Sequence, residues 1–404
     1  MQTELAAFIR DTPDGREADA ILRKCVHCGF CTATCPTYQV LGDDLDSPRG
    51  RIYLIKRALE GAAVTERTRL HLDRCLTCRA CETTCPSGVR YGRLADIGRA
   101  VVEARTRRPL ADRATRALLS FALPRRAVFS ALLALGRAVR PLTPRVLRDK
   151  IPGAVQPPGD WPAPRHARRM LVLRGCVQPA LAPRINAAAA RVLDRLGVSL
   201  VEAPGGCCGA LRFHLNRQDD GRDDMRALID AWWPLVEAGS VEAIVMTASG
   251  CGATVKEYGE LLAHDPAYRE KAARISSLAR DLAEVIPAEA VAARKARGRV
   301  AFQSPCTLQH GQRIRGAVEA VLDRAGYELA PVRDGHLCCG SAGTYSILQP
   351  ALSQELRSRK LERLQEGAPE AIATANIGCL SHLQGGTVTP VRHWIELLDE
   401  AMRP

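Results

Sequence analysis

The sequence predicts a mixed architecture: a small all-helical segment at the N-terminus followed by two tandem α/β domains. Three observations carry that prediction. Two tight cysteine runs within the first hundred residues flank a stretch with helical apolar spacing. Beyond residue 168 one pattern of alternating strands and helices is written twice. A basic stretch punctuated by prolines separates the two parts. At 404 residues, 46% hydrophobic and 25% charged, the chain can bury several cores and is too apolar for disorder. Aromatics make up only 4%, so those cores must be built from Leu, Val, Ile and Ala. The expected boundaries are 15–100, 101–168, 169–295 and 296–404.

Sixteen cysteines need an explanation. A disulfide framework suits small secreted domains. Here the start, MQTELAAFIRDTPDGREAD, has neither the basic opening nor the apolar centre of a secretory signal. No apolar run reaches the ~18 residues of a spanning helix. The expectation is a cytoplasmic chain, soluble or peripheral, whose clustered thiols bind metal.

The tight runs are Cys25-x2-Cys28-x2-Cys31-x3-Cys35-Pro36 and Cys75-x2-Cys78-x2-Cys81-x3-Cys85-Pro86. Three cysteines at three-residue intervals let one tight loop wrap three iron corners of a cubane. The fourth, just before proline, points to the other cluster. Cys25, Cys28, Cys31 and Cys85 are thus assigned to one [4Fe–4S] cluster, and Cys75, Cys78, Cys81 and Cys35 to a second. Zinc sites use paired C-x2-C units, and a third cysteine followed by Cys-Pro does not fit them. Gly29 is expected to let the backbone approach the sulfides, and His27 to be a loop residue and not a ligand. Between the runs, Ile52, Leu54, Ile55, Ala58 and Leu59 recur at helical spacing within 46–61. A helix there, in place of a short hairpin, makes this an alpha-helical ferredoxin type. Arg49 and Arg51 read either as anion binders or as ion pairs pinning that helix to the cluster loops.

Residues 101–170 carry 15 Lys and Arg against 4 Asp and Glu, so nearly all of the chain's net +13 lies there. Two apolar, helix-like pieces, 116–123 and 127–135, are separated by Pro124. Prolines at 141, 144, 152, 157, 158, 162 and 164 mark an irregular linker. Basic residues beside short apolar helices suit an anionic membrane surface, an acidic partner subunit, or an ordinary solvated linker. Nothing suggests nucleic-acid binding, since there is no finger, helix-turn-helix signal or aromatic-interleaved basic strip.

The repeats begin RRMLVLRGCVQPALAPRINAAAARVLDRLGVSLVEAPGGCCG and GRVAFQSPCTLQHGQRIRGAVEAVLDRAGYELAPVRDGHLCCG. Each runs strand, cysteine, helix, strand and Cys-Cys-Gly. Each then passes through a long helical stretch to an apolar strand, 241–251 or 371–379. Each contributes four cysteines, Cys176, Cys207, Cys208 and Cys251 in the first and Cys306, Cys338, Cys339 and Cys379 in the second. All are placed at strand ends, where open α/β sheets bind ligands. Four thiolates at one edge make a candidate metal centre. Adjacent cysteines are awkward for a single tetrahedral zinc but can bridge a larger cluster. His310 and His382 follow Cys306 and Cys379 closely and read either as auxiliary ligands or as plain polar residues.

Taken together, KCVHCGFCTATCPTYQVLGDDLDSPRGRIYLIK, DRCLTCRACETTCPSG and the two Cys-Cys-Gly repeats resemble the iron–sulfur subunits of bacterial glycolate oxidases. The repeats are similar to those of heterodisulfide reductases, the anaerobic glycerol-3-phosphate dehydrogenase and lactate-utilisation proteins. In heterodisulfide reductases the last cysteine belongs to a Cys-x-x-Cys pair, whereas here Cys251 precedes Gly-Ala-Thr and Cys379 precedes Leu-Ser-His. That departure argues against a non-cubane cluster and disulfide chemistry. The resemblance implies an electron-transfer subunit with no catalytic residue of its own. Its partner would be an FAD-containing subunit that oxidises glycolate or D-lactate, and its acceptor a quinone or another carrier. It would sit in the cytoplasm, with peripheral contact on the inner membrane. No G-x-G-x-x-G follows a strand in this chain, so FAD is expected only on the partner. The alternatives are a subunit acting on glycerol-3-phosphate or another 2-hydroxyacid, and a redox-sensing iron–sulfur protein.

Overall fold

The computed structural model describes residues 1–142, 153, 155–292 and 296–403. The N-terminal part is all helix. Its main helices are Pro13–Lys24, Pro48–Leu59, Glu66–Asp73 and Tyr91–Arg105. Local chemistry starts them. Thr12 and Ser47 accept from the Gly15 and Gly50 amides, and Pro13 and Pro48 occupy first-turn positions where no donor is needed. The predicted helical face holds, with Ile52, Ile55, Ala58 and Leu59 buried and Leu54 half-buried. It packs on the Leu94 and Ile97 face of Tyr91–Arg105. A Cβ at Gly98 would lie 2.5 Å from Ile55, so glycine there sets the close approach of the two helices. Helix Tyr91–Arg105 also carries the helical unit past the expected edge at residue 100, because Val102 belongs to the same core.

Two further helices follow, Leu110–Ala122 and Arg126–Val139, meeting at Pro124 with a bend of 108°. Among the described residues no single helix is long and apolar enough to cross a membrane. Prolines 157, 158, 162 and 164 lie outside helices and strands. Prolines 144 and 152 of the expected linker lie outside the described residues.

Each repeat forms a four-stranded parallel sheet. The first comprises β1 (Arg168–Leu173), β2 (Val198–Ala203), β3 (Ala243–Met246) and β4 (Ala279–Asp281), in the order β2-β1-β3-β4. The second comprises β5 (Arg299–Gln303), β6 (Glu328–Ala330), β7 (Ala371–Thr374) and β8 (Val391–His393), in the matching order β6-β5-β7-β8. β3 and β7 are apolar throughout or nearly so, as strands covered on both faces must be. One core runs through both repeats, joining Val172 and Leu193 to Phe302, Leu322, Trp394 and Leu398.

The apolar strands expected over 241–251 and 371–379 are shorter than predicted. The chain enters helices at Ser249 and Ile377, so Cys251 and Cys379 sit in first helical turns. The strand stops because its next polar groups turn to the other repeat. The Ser249 amide donates to the Ala375 carbonyl at 3.1 Å, and the Gly250 amide to Asn376 Oδ1 at 3.3 Å.

Candidate metal centres

The two N-terminal cysteine loops follow one backbone path. His27 and Gly29 have φ of 60° and 87°, and the equivalent Thr77 and Arg79 have φ of 51° and 61°. Gly29 is needed twice over, for its positive φ and because a Cβ would come within 3.0 Å of the Arg49 guanidinium. Arg79 adopts the same conformation without being glycine. Its strain is offset by a two-pronged ion pair with Glu257, at the end of the helix that carries Cys251.

Two pockets lie between these loops. Cys25, Cys28, Cys31 and Cys85 line one, beneath Ile52 and Tyr91. Cys35, Cys75, Cys78 and Cys81 line the other, with Arg51 and Leu76. Cys81 borders both. The fourth cysteine of each run therefore lines the pocket of the other run, and each pocket gathers at least the four sulfurs that an iron–sulfur cubane takes. Burial, followed by the neighbouring Cys25, pushes the Cys31 thiol up to about 11. Burial and the nearby Cys306 raise Cys78, while burial and Cys78 raise Cys81. Thiols crowded in this way ionise only when a cation replaces their protons. Cys75 differs. Burial opposes its ionisation, but the Arg51 and Arg99 guanidiniums outweigh that, and the Tyr91 hydroxyl donates to its sulfur at 3.5 Å.

Arg51 resolves the two readings of the arginines in favour of ion pairing. It bonds the His71 carbonyl at 2.7 Å, Thr37 Oγ1 at 3.1 Å and Asp46 at 3.3 Å. Asp46, fully buried, also takes Arg74 at 2.8 Å and faces His71 at 3.2 Å. Asp43, Asp46 and His71 stand close enough to hold an ion, but the two arginines already satisfy Asp46. Arg49 pairs with Asp44 at 2.9 Å.

The second pocket abuts the second repeat. Leu76, Cys338, Tyr345 and Leu356 form one buried cluster, with Cys78 and Cys306 packed against it. The Tyr345 hydroxyl donates to the Arg74 carbonyl at 3.1 Å, and Thr83 bonds His310 at 2.9 Å. The first pocket opens outward. Cys28 is exposed, as are its neighbours Val26 and Phe30.

The repeat cysteines follow the C-terminal ends of parallel strands: Cys176 after β1, Cys207 and Cys208 after β2, Cys251 after β3, and their counterparts after β5, β6 and β7. In the first repeat Cys176, Cys207, Cys208 and Cys251 form a chain of sulfur contacts. In the second, Cys306 lies 3.8 Å from Cys338, and Cys339 lies 3.4 Å from Cys379. Contact with Cys207 and burial raise Cys176, and contact with Cys338 and burial raise Cys306. The quartets have different cations beside them: Arg212 faces Cys207 in the first. Lys360, 3% exposed, lies within the field of all four second-repeat thiols and donates to the Gly335 carbonyl at 2.9 Å. The corresponding helix of the first repeat buries Leu228, Ile229 and Trp232 instead.

Both ring nitrogens of His310 are taken, by Thr83 and by the His336 carbonyl, and His382 bonds Ser353, so both behave as polar scaffold. Sequence reasoning missed Asp46, Tyr91 and Lys360. Lys360 left a signal, since it sits on the buried face of its helix with Ser353, Leu356, Leu361 and Leu364.

Residues 21–89 match the 4Fe-4S dicluster domain family, and residues 170–256 and 300–384 each match the Cysteine-rich domain family. The glycolate oxidase iron-sulfur subunit of Escherichia coli (strain K12) is 55% identical, covering 100% of this chain and 99% of that protein. The probable glycolate oxidase iron-sulfur subunit of Bacillus subtilis (strain 168) is 29% identical over 90% of this chain and 89% of its own length. Lactate utilization protein A of Geobacillus thermodenitrificans is 27% identical over 55% of this chain and 95% of its own length. A hypothetical protein from Helicobacter pylori of known structure shares the fold with a TM-score of 0.53 at 11% identity, covering 97% of this chain and 73% of that one. The chain therefore belongs to the glycolate oxidase iron–sulfur subunit family, as an oxidoreductase subunit that carries iron–sulfur cofactors.

Proposed function

We propose that this chain is the electron-transfer subunit of a glycolate oxidase. A separate FAD-containing subunit binds glycolate, or D-lactate, and takes its hydride. The two electrons then enter this chain one at a time and leave toward a quinone or another carrier at the cytoplasmic face of the inner membrane. Cys25, Cys28, Cys31 and Cys85 hold one [4Fe–4S] cluster, and Cys75, Cys78, Cys81 and Cys35 hold the second. The cysteine quartets of the repeats are candidate sites for additional metal or iron–sulfur centres.

The observation that carries this reading is the crossing of the two runs, each lending its fourth cysteine to the other's pocket. When bound, the clusters supply one-electron chemistry at potentials set by burial and hydrogen bonds to sulfur. The chain's own residues do the tuning. Arg51 keeps a positive charge beside Cys35 and Cys75, Tyr91 donates to Cys75, and Leu76, Cys338 and Leu356 pack around the half-buried Cys78.

The test is reduction of the anaerobic, co-purified complex by a panel of substrates, followed by EPR. Glycolate should reduce the clusters, and glycerol-3-phosphate should not. Reduction by glycerol-3-phosphate alone would reassign the complex to that substrate. About eight iron atoms per chain would account for the two cubanes, and more would place centres in the repeats.

A further inference from the structure

The helices Leu110–Ala122 and Arg126–Val139 turn their apolar faces outward. On the first, Leu110, Ala114, Ala117, Leu118 and Phe121 form one exposed stripe at helical spacing. On the second, Ala127, Ala131, Leu132, Leu135, Ala138 and Val139 do the same. Leu110 is 78% exposed, Leu118 62% and Leu135 61%, well beyond the scattered apolar residues of an ordinary surface. The inward side is thin, with only Ser120, Ala122 and Leu133 buried in these two helices.

The charge on these two helices is predominantly positive, and the one carboxylate they carry, Asp112, is held by Arg108 and Arg116. From residue 113 to residue 142 the sequence holds six arginines and no Asp or Glu. Arg113, Arg125 and Arg126 are exposed at the helix ends and bend, and Arg125 stacks 4.4 Å above the Phe121 ring. An arginine-rimmed apolar face whose single carboxylate, Asp112, is already paired is complementary to an apolar layer beneath an anionic surface. At 13 and 14 residues, the helices are about 20 Å long. That is too short to cross a hydrocarbon core of roughly 30 Å but suits helices lying in the interface.

We propose that this helical hairpin seats the chain on the anionic surface of a lipid bilayer, its leucine and phenylalanine stripes in the acyl boundary and its arginines on the headgroup phosphates. The inference deepens the reading of the chain as a relay toward a membrane acceptor. Vesicle binding is read without substrate and reduction with it, so the two stand or fall separately.

The experiment is cosedimentation of the full-length, cluster-loaded chain with vesicles of phosphatidylcholine containing phosphatidylglycerol, and with phosphatidylcholine alone. Binding should require phosphatidylglycerol and fall with added salt. The double variant Leu118→Asp/Leu135→Asp should lower binding about a hundredfold, the effect of two leucines lost from an apolar phase. Arg125→Gln/Arg126→Gln should lower it roughly thirtyfold. All four side chains are exposed, so the variants should keep the wild-type cluster absorbance and, in the co-purified complex, substrate-driven reduction. Absence of wild-type binding, or binding unchanged in the leucine variant, overturns the proposal. So does a leucine variant that still binds vesicles but no longer co-purifies with the flavin subunit, which would make the hairpin a subunit interface. Loss of glycolate-driven reduction with vesicle binding intact would instead overturn the relay.

Discussion

Arg51 Nη1 lies 4.0 Å from the Cys35 sulfur, on a side chain only 1% exposed. A buried guanidinium this close to a cluster ligand favours the reduced, more negative state of that cluster. It is held there by Asp46, itself shared with Arg74 and His71.

Replacing Arg51 with methionine should therefore lower the potential of the cluster on Cys75, Cys78, Cys81 and Cys35. A charge at this distance at moderate effective dielectric gives a shift of roughly 50–150 mV. Arg51→Lys, which keeps the charge but loses the forked bonds, should shift it much less. EPR-monitored redox titration separates the two. Equal shifts in both variants would make Arg51 a merely structural residue.

Glu257 should matter to the docking of the cluster loop on the first repeat. Removing its charge leaves Arg79 in a left-handed conformation without its clamp. Glu257→Gln should speed hydrogen exchange of the amides over 75–81 by about tenfold, a loss of roughly 1–2 kcal/mol of local stability. Exchange over 25–31 serves as the internal control, since that loop uses Gly29.

His393 predicts the acid limb of stability. It is fully buried, donates from Nε2 to the Thr247 carbonyl at 2.9 Å and accepts the Ile395 amide at Nδ1, so it must be neutral. Burial pushes it down to about 4 from an ordinary 6.5. Because the folded value is depressed, its contribution is complete above pH 6.5 and is lost as pH falls through 4. The amount is on the order of 3 kcal/mol. Denaturant midpoints measured from pH 7 to pH 4.5 should fall, and His393→Gln should flatten that fall.

The second-repeat quartet should depend on Lys360. A buried cation offsets the charge of four thiolates, so Lys360→Met should weaken metal retention in the second repeat to the level of Cys339→Ser. The first repeat, tested through Cys208→Ser, should be unaffected by the Lys360 change. Metal content per chain after gel filtration reads all three.

Much of this was legible in the residues themselves. Two cysteine runs of fixed spacing, a helix face from Ile52 to Leu59 and a repeated Cys-Cys-Gly pattern are local signals, and each survives in the fold. β4 and β8 were not legible, because three-residue strands reading Ala-Arg-Asp and Val-Arg-His carry no apolar alternation. Cys251 and Cys379 were misplaced onto strands because the turn at Ser249 and Asn376 is fixed by bonds to the opposite repeat. The meeting of Cys78 with Cys306 is a tertiary event between residues 228 positions apart, and no local pattern announces it. Asp46 and Arg51 lie five apart, off the spacing of a helical ion pair, so their burial was hidden as well.

The central claim is that each cysteine run completes the other's cluster, and serine substitution at Cys85 and Cys35 tests it most directly. In each variant, iron content and the EPR of the dithionite-reduced protein report which cluster is altered. Cys85→Ser should alter the signal that Cys28→Ser alters, and Cys35→Ser the signal that Cys78→Ser alters. If Cys85→Ser instead altered the same cluster as Cys78→Ser, the crossed assignment would be contradicted and each run would hold a cluster of its own.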